Sequence, residues 1–453
     1  MRTRFHRTFR ARSSAVGGSI LALGAMGALA VGPALVPSTA IEHGLPAPAP
    51  LAILLPGTAT ATPPTIAQCE ASDGFPCYGP PQLQAAYDME PLYEAGHQGQ
   101  GETIVLVDSY GSPTIASDLA AFDSAYGLPA PPSFKIITPE GSPTSQNGGW
   151  AEETTLDVEY SHAMAPEAKL LLVETPVAET VGTAGFPQIV KAEEYVIQHK
   201  LGNVISQSFG AAEQTFPSSK SILALRGAYT LAAQDKVTVL AASGDQGATS
   251  SSNASGSKDF THRVVNWPAS DPLVTAVGGT QLHLNQAGGR TAPDNVWNDT
   301  GTLGTPAASG GGVSSVFARP SFQAAVSSVV GSRRGVPDVS MSAAVDGAAI
   351  IYFKGSFNLV GGTSEASPLF SGIVAIADQV AGHNLGDLNP KLYALGSGAP
   401  GLPDISAGNN SVSFHQGGQA YTVTGYRADK GFDLASGLGT VNGAKLVTEL
   451  TAG

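Results

Sequence analysis

Ser364 stands in GGTSEASPLF, between a glycine pair and an apolar helical pattern, four residues before Pro368. A serine at a helix start has what a nucleophile needs, because the helix N-terminus favours developing negative charge and small neighbours let a substrate approach. It also has what an N-cap needs, and a proline in the first turn suits a capped helix. A second group lies in WAEETTLDVEYSHAMAP, which the pattern makes a helix ending at Pro166. At about 100° per residue, Glu153, Leu156, Asp157, Tyr160 and Met164 share one stripe, whereas Glu152, Glu159 and His162 point elsewhere. Residues four apart bring their Cβ atoms to roughly 5–6 Å. Two carboxyls that close, on the stripe that faces the protein, raise one another's pKa and become general acids and bases. The same pair could instead line a wet helix edge or be neutralised by a lysine or arginine. Asp245, in SGDQG after the strand-like VTVLAA, occupies a sharp loop at a strand's carboxyl end, where a turn or capping aspartate is also at home.

The elements that must position these residues are legible as alternating patterns. Continuous apolar runs in ETIVLVDSYG, KLLLVET, NVISQSFG, VTVLAASGD and LVTAVGGT read as strands. FPQIVKAEEYVIQHK, SILALRGAYTLAAQD and PLFSGIVAIADQV read as helices, the last with apolar spacing at Leu369, Ile373, Ile376 and Val380. The expected fold is α/β, a largely parallel sheet with helices on both faces. Sites in such sheets form at the carboxyl ends of the strands, which directs attention to DSYG, SQSFG and SGDQG. No internal repeat is visible.

The chain has 453 residues and a formal charge of -13, with few charged residues and much Gly. That balance excludes sequence-independent nucleic-acid binding, which needs a basic surface to neutralise phosphates. A surface made polar by uncharged residues suits a protein that stays folded in acid. Residues 1–40 read as a signal peptide: MRTRFHRTFRAR is a basic region, an apolar run follows, and Ser38–Ala40 offers small residues for cleavage. An uncleaved membrane anchor is the alternative, and membrane association is expected only in that case. Residues 41–77 are rich in Pro, Ala and Thr and read as a tether or short prosegment, leaving 78–453 as the main domain. Cys69 and Cys77, the only cysteines, suit a small-loop disulfide in an oxidising compartment. The expected location is therefore secreted, extracellular.

Taken together, the motifs resemble those of the sedolisin family of serine-carboxyl peptidases. GTSEASP is similar to the family's Gly-Thr-Ser-x-x-x-Pro element, EETTLDVE to its Glu-x-x-Leu-Asp element, and Asp245 in SGDQG to its oxyanion aspartate. The likeness runs from about Tyr78 to the C-terminus through YGPPQLQAAY, SQSFGAAE, WPASDPLVTAVGGT, SGGGVSSVF and GFDLASGLG. It implies a subtilisin-like fold and an acid-acting endopeptidase with Ser364 as nucleophile, Glu153 as general base, Asp157 backing Glu153 and Asp245 completing the oxyanion hole. Ser208, Phe209 and Gly210 would line the bound polypeptide, and the molecule is expected to be a monomer. The chemistry is coherent: a carboxylate takes the serine proton as the oxygen attacks a peptide carbonyl, then returns it to the leaving amine. Asp245 can donate to an oxyanion only when protonated, which favours an acidic medium.

The resemblance also implies one structural calcium ion. Asp404 in LPDISAGNN and Asp433 in RADKGFDLASGLG are either turn aspartates or ligands; the implied set is Asp404, Ile405, Asp429, Gly431 and Asp433, with carbonyls serving at 405, 429 and 431. Asp429 stands where the family more usually has glycine. Two further departures concern a large N-terminal prodomain, replaced here by a short Pro-rich stretch before Cys69, and a relay through a glutamate and a tryptophan. The matching relay positions are Asp108 and Phe209, and phenylalanine cannot donate a hydrogen bond. A histidine-based subtilisin triad with Asp108 is rejected, since none of the nine histidines stands in a His-Gly-Thr-type motif. The alternative function is a non-catalytic exported binding or surface-interaction protein that keeps the fold.

Overall fold

The structure, a computed structural model, describes residues 53–54, 59–178 and 184–452. The apolar runs build one eight-stranded sheet. Its strands are β1 (Thr103–Ser109), β2 (Phe134–Ile137), β3 (Lys169–Thr175), β4 (Val204–Gln207), β5 (Thr238–Ala242), β6 (Thr275–Gln281), β7 (Asn295–Val296) and β8 (Val339–Ser342). They lie in the order β7-β6-β5-β4-β1-β3-β2, with β8 also paired to β6, and every pairing is parallel except β6 with β7. β1 is flanked by β3 on one side and β4 on the other, so the chain departs from it in opposite directions. A crevice opens at the carboxyl ends of strands where the order reverses in this way.

Alternate residues of β1 serve two cores. Ile104 and Leu106 join Leu156 and Val158 of α1 (Gly148–Met164), while Val105 and Val107 join Ile189 and Val196 of α2 (Phe186–Gln198) on the opposite face. That double covering is why these strands read as continuous apolar runs. The helix that carries Ser364, α3 (Thr363–Ala381), lies beside α1. Gly372 permits the close approach, since a Cβ there would fall 2.5 Å from Met164 Cβ, and Ser161 and Ser371 bond across the contact at 3.0 Å.

Three expectations need correction. Every residue of α1 from Trp150 to Met164 is buried, including Glu152, Glu159 and His162, because the helix is enclosed by neighbours on all sides and presents no single inward stripe. The run SILALRGAYTLAAQD forms two helices, Ser219–Ala224 and Gly227–Asp235; at the break Arg226 bonds Asp271 through Nε and Nη2 at 2.5 and 2.8 Å. Folded structure also begins well before Tyr78. Ile53–Leu54 pair with Val360 and Gly361, and Thr60 exchanges two backbone hydrogen bonds with Phe357 at 2.8 Å. A helix at Ile66–Ser72 is closed by a capping box between Thr65 and Gln68, and Cys69 is disulfide-bonded to Cys77. Cys77 and Tyr78 then pair with Ala348 and Ala349, so the end of the expected tether is built into the fold. The expected signal peptide, residues 1–40, lies outside the described residues, as do residues 41–52 and 55–58 of the Pro-rich stretch. Among the described residues no helix is long and apolar enough to cross a membrane.

Candidate active site

Ser364 is delivered by a strand-to-helix turn. The strand Ser356–Gly361 ends at Gly362, whose φ of 135° is open to glycine and strained for other residues, and α3 starts at once. Ser364 is thus the second residue of α3 and does not cap it. The cap comes from 118 positions away: Asp245 Oδ1 accepts from Thr363 N at 2.8 Å and from Thr363 Oγ1 at 2.7 Å. Gly244 N donates to the same Thr363 Oγ1 at 3.1 Å, which fixes the SGDQG loop to the start of α3. Pro368 lies inside the helix rather than in its first turn, where its missing N–H would have faced the Ser364 carbonyl. That carbonyl is met instead by Ser208 Oγ at 3.5 Å.

Glu153 and Asp157 lie one turn apart on α1, completely buried. Ser208, in the loop after β4, donates its Oγ proton to Asp157 Oδ1 at 2.7 Å, and its carbonyl accepts from Ser364 Oγ at 3.4 Å. One residue therefore ties the carboxyl pair to the serine. Neither Glu153 oxygen and only one Asp157 oxygen has a hydrogen-bond partner. Burial holds the Glu153 carboxyl well above the ordinary range; Asp157 and then Asp108 push it further, and the nearby Ser364 hydroxyl offsets part of the rise. Asp157 is raised by burial and by Asp108. Asp108, at the carboxyl end of β1, is itself buried and pushed up to about 7, first by burial. Asp245 is pushed up to about 7 by burial, against the two bonds from Thr363, and its Oδ2 is buried without a partner. Among the described residues, no lysine, arginine or histidine makes an ion pair with any of these carboxyls. The pair is neither wet nor neutralised.

The structure thus brings Ser364, Glu153, Asp157 and Asp245 together with Asp108 and Ser208. The three residues expected against the bound polypeptide divide differently. Ser208 is buried and braces Asp157. Phe209 is turned into the core, its ring 6.4 Å from that of Trp150 and 6.2 Å from that of Phe186, because an aromatic side chain there gains more from the apolar side of the sheet. Gly210 alone keeps partial exposure, packed near Asn266 and Trp267. Two contributors escaped the sequence reading: Thr363, inside the serine motif, and Ser208 as the brace of Asp157. His162, though on α1, is bonded to the Pro129 carbonyl at 2.7 Å and held down to about 4 by burial.

Of the expected calcium ligands, Asp404 and Gly431 are brought into direct contact. Asp404 accepts from Ser397 Oγ at 2.8 Å and from Gly431 N at 2.9 Å, which folds the 429–431 loop against it. Asp433 accepts from Ala435 N, Ser436 N and Ser436 Oγ at 2.8–3.0 Å, and burial pushes it up to about 6. The carbonyls of Ile405, Asp429 and Gly431 accept no hydrogen bond among the described residues. Two carboxylates with lone pairs to spare and three free carbonyls fit a hard cation. Among the described residues no cluster of three or more His, Cys, Asp or Glu side chains could hold a metal, so such a site would depend on those carbonyls.

Residues 144–391 match the model of the subtilase family. Kumamolisin of Bacillus sp. (strain MN-32) is 33% identical over 381 residues, covering 82% of this chain and 63% of the relative. Sedolisin of Pseudomonas sp. (strain 101) is 31% identical over 378 residues, covering 82% of this chain and 60% of the relative. The chain thus spans less than two thirds of the length of these relatives. The solved structure of Pseudomonas sedolisin, a serine-carboxyl proteinase complexed with two molecules of pseudo-iodotyrostatin, superposes with a TM-score of 0.70 at 29% identity, over 83% of this chain and 98% of that one. The fold is accordingly subtilisin-like.

Proposed function

Because the chain belongs to the sedolisin family of serine-carboxyl peptidases, we propose that it is an exported, acid-acting endopeptidase that cleaves polypeptides through an acyl-enzyme on Ser364. The observation that carries this is the convergence of buried carboxyl oxygens without partners, on Glu153, Asp157 and Asp245, around one serine. Glu193 and Glu365 also carry unpartnered buried oxygens, so it is the gathering of such groups around one serine, at about 1–3 kcal/mol for each, that favours a catalytic role.

The contacts support the following roles. The Glu153–Asp157 pair loses its first proton well before its second, because two charges that close repel. In the singly ionised pair Glu153 takes the Ser364 Oγ proton as that oxygen attacks the peptide carbonyl. Asp157, held by Ser208, keeps the other proton and steadies Glu153. Asp245 uses Oδ1 to accept from Thr363, so its own proton belongs on Oδ2, where it can be donated to the developing oxyanion. Glu153 then returns its proton to the leaving amine, and water releases the acyl group by the same steps in reverse. A structural calcium ion would be held by the Asp404 and Asp433 carboxylates and the carbonyls of Ile405, Asp429 and Gly431, and no catalytic step passes through it. Export is supported by the basic-then-apolar N-terminal sequence and by the disulfide.

The test is Ser364→Ala assayed on a denatured protein substrate at acid pH, with folding checked by thermal unfolding. Loss of hydrolysis with an unchanged melting temperature is expected. Equal hydrolysis by the variant would remove Ser364 from the mechanism.

A further inference from the structure

Beside the catalytic carboxyls lies a cavity of about 370 Å³, at the lower end of the range of ligand pockets, between the carboxyl ends of β1, β2 and β3. Its walls include Tyr110, Ile136, Thr138, Pro143, Gln146 and Glu174. Glu174 is the one carboxyl of the lining, and no lysine or arginine lines it. The side chain packs over Gly111, where a Cβ would fall 1.8 Å from Glu174 Oε1, so this glycine is what admits the carboxyl. The Glu174 carboxyl makes no ion pair among the described residues. Burial holds it above the usual carboxylate range with no cation opposing the rise. Its register partner on β1 is Asp108, which in turn acts on Glu153 and Asp157, so the cavity adjoins the reaction centre.

We propose that this cavity is a subsite for one lysine or arginine side chain of the polypeptide being cleaved, selected by Glu174; the proposal rests on the peptidase reading above. Ile136, which is 44% exposed, and the Tyr110 ring offer apolar surface for the aliphatic stem. The unpaired carboxylate receives the charged head. A shorter or acidic side chain would leave Glu174 unmatched or repelled. The groups facing Glu174 are Asp108 and Tyr110; Asp108 is neutral in acid, so selection for a cation strengthens as pH rises and Glu174 ionises.

The test uses binding, which does not require turnover. Fluorescent peptides in which lysine or norleucine occupies each position in turn are titrated against the Ser364→Ala protein and against Ser364→Ala/Glu174→Gln, at pH 4 and pH 7. One position is expected to favour lysine over norleucine by about tenfold at pH 7, the low end for a charge-assisted hydrogen bond. The preference should be weaker at pH 4 and fall to near unity in the Gln variant. No preference at any position, or a preference that survives Glu174→Gln, overturns the subsite. Intact lysine selection together with absent turnover in the protein carrying Ser364 would overturn the peptidase reading and leave the subsite standing.

Discussion

In the proposed mechanism Asp245 must carry a proton, and Asp245→Asn isolates that requirement. The aspartate is pushed up to about 7, so two pH units below that value nearly every molecule carries the proton and two units above about one in a hundred does. Turnover by the unaltered protein should therefore fall about tenfold per pH unit above about 7. Asparagine keeps an oxygen for Thr363 N and Oγ1 and places a permanent donor where Oδ2 stood. Its profile should stay flat through the same range, even if its acid plateau is lower. Both ionisations of the proposed Glu153–Asp157 pair should be common to the two proteins. Asp245→Ala removes the donor and should lose roughly 2.7–4 kcal/mol of transition-state stabilisation, or about 10²–10³ in turnover. It also strips the Thr363 N–H of its cap, at about 0.5–2 kcal/mol of stability. The assay is turnover of a quenched peptide from pH 3 to 9, normalised to the folded fraction. Near-native turnover in the Ala variant would refute the donor role.

Two further outcomes concern stability. Glu365, next to Ser364, is fully buried with both oxygens unpartnered and is pushed up to about 8 by burial, with Ser342 opposing. A carboxyl raised in the folded state stabilises the fold while protonated, and that stability is lost as pH climbs from the unfolded carboxylate range through about 8. Each such group contributes up to about 1.4 kcal/mol per pH unit in that window. The melting temperature should therefore drop between pH 4 and pH 8. Glu365→Gln should match the unaltered protein at pH 4 and exceed it at pH 8; an unchanged slope would dismiss Glu365 as a source. Chelation of calcium should lower the melting temperature, by an amount equivalent to about 2.7 kcal/mol if the ion had been present at a hundred times its dissociation constant. Asp433→Ala should reproduce the loss without added chelator, and no change in either would argue against a bound ion.

What the sequence determined by itself was everything local in origin. Continuous apolar runs bounded by turn residues announced the strands, because a strand covered on both faces needs no polar side. The i,i+4 spacing alone put Glu153 and Asp157 together, since one turn of helix fixes it, and an eight-residue separation made the Cys69–Cys77 pairing legible. The glycine pair before Ser364 is plain in the sequence, and Gly362 makes the turn. What only the tertiary structure decided was partnership over long separations. The cap of α3 comes from Asp245, Asp157 is held by Ser208 from the loop after β4, and Asp108 joins the carboxyls from the end of β1. Periodicity assigned Glu159 and His162 to another face of α1, yet both are buried, because enclosure of a helix depends on how many neighbours surround it. Phe209 sits in a loop whose sequence suggests contact with substrate, but its ring packs among Trp150 and Phe186 from distant elements. Spacing along one element sets which side chains can meet, whereas burial and pKa depend on charges and surfaces that arrive from elsewhere in the chain, and these exist only once the sheet has assembled.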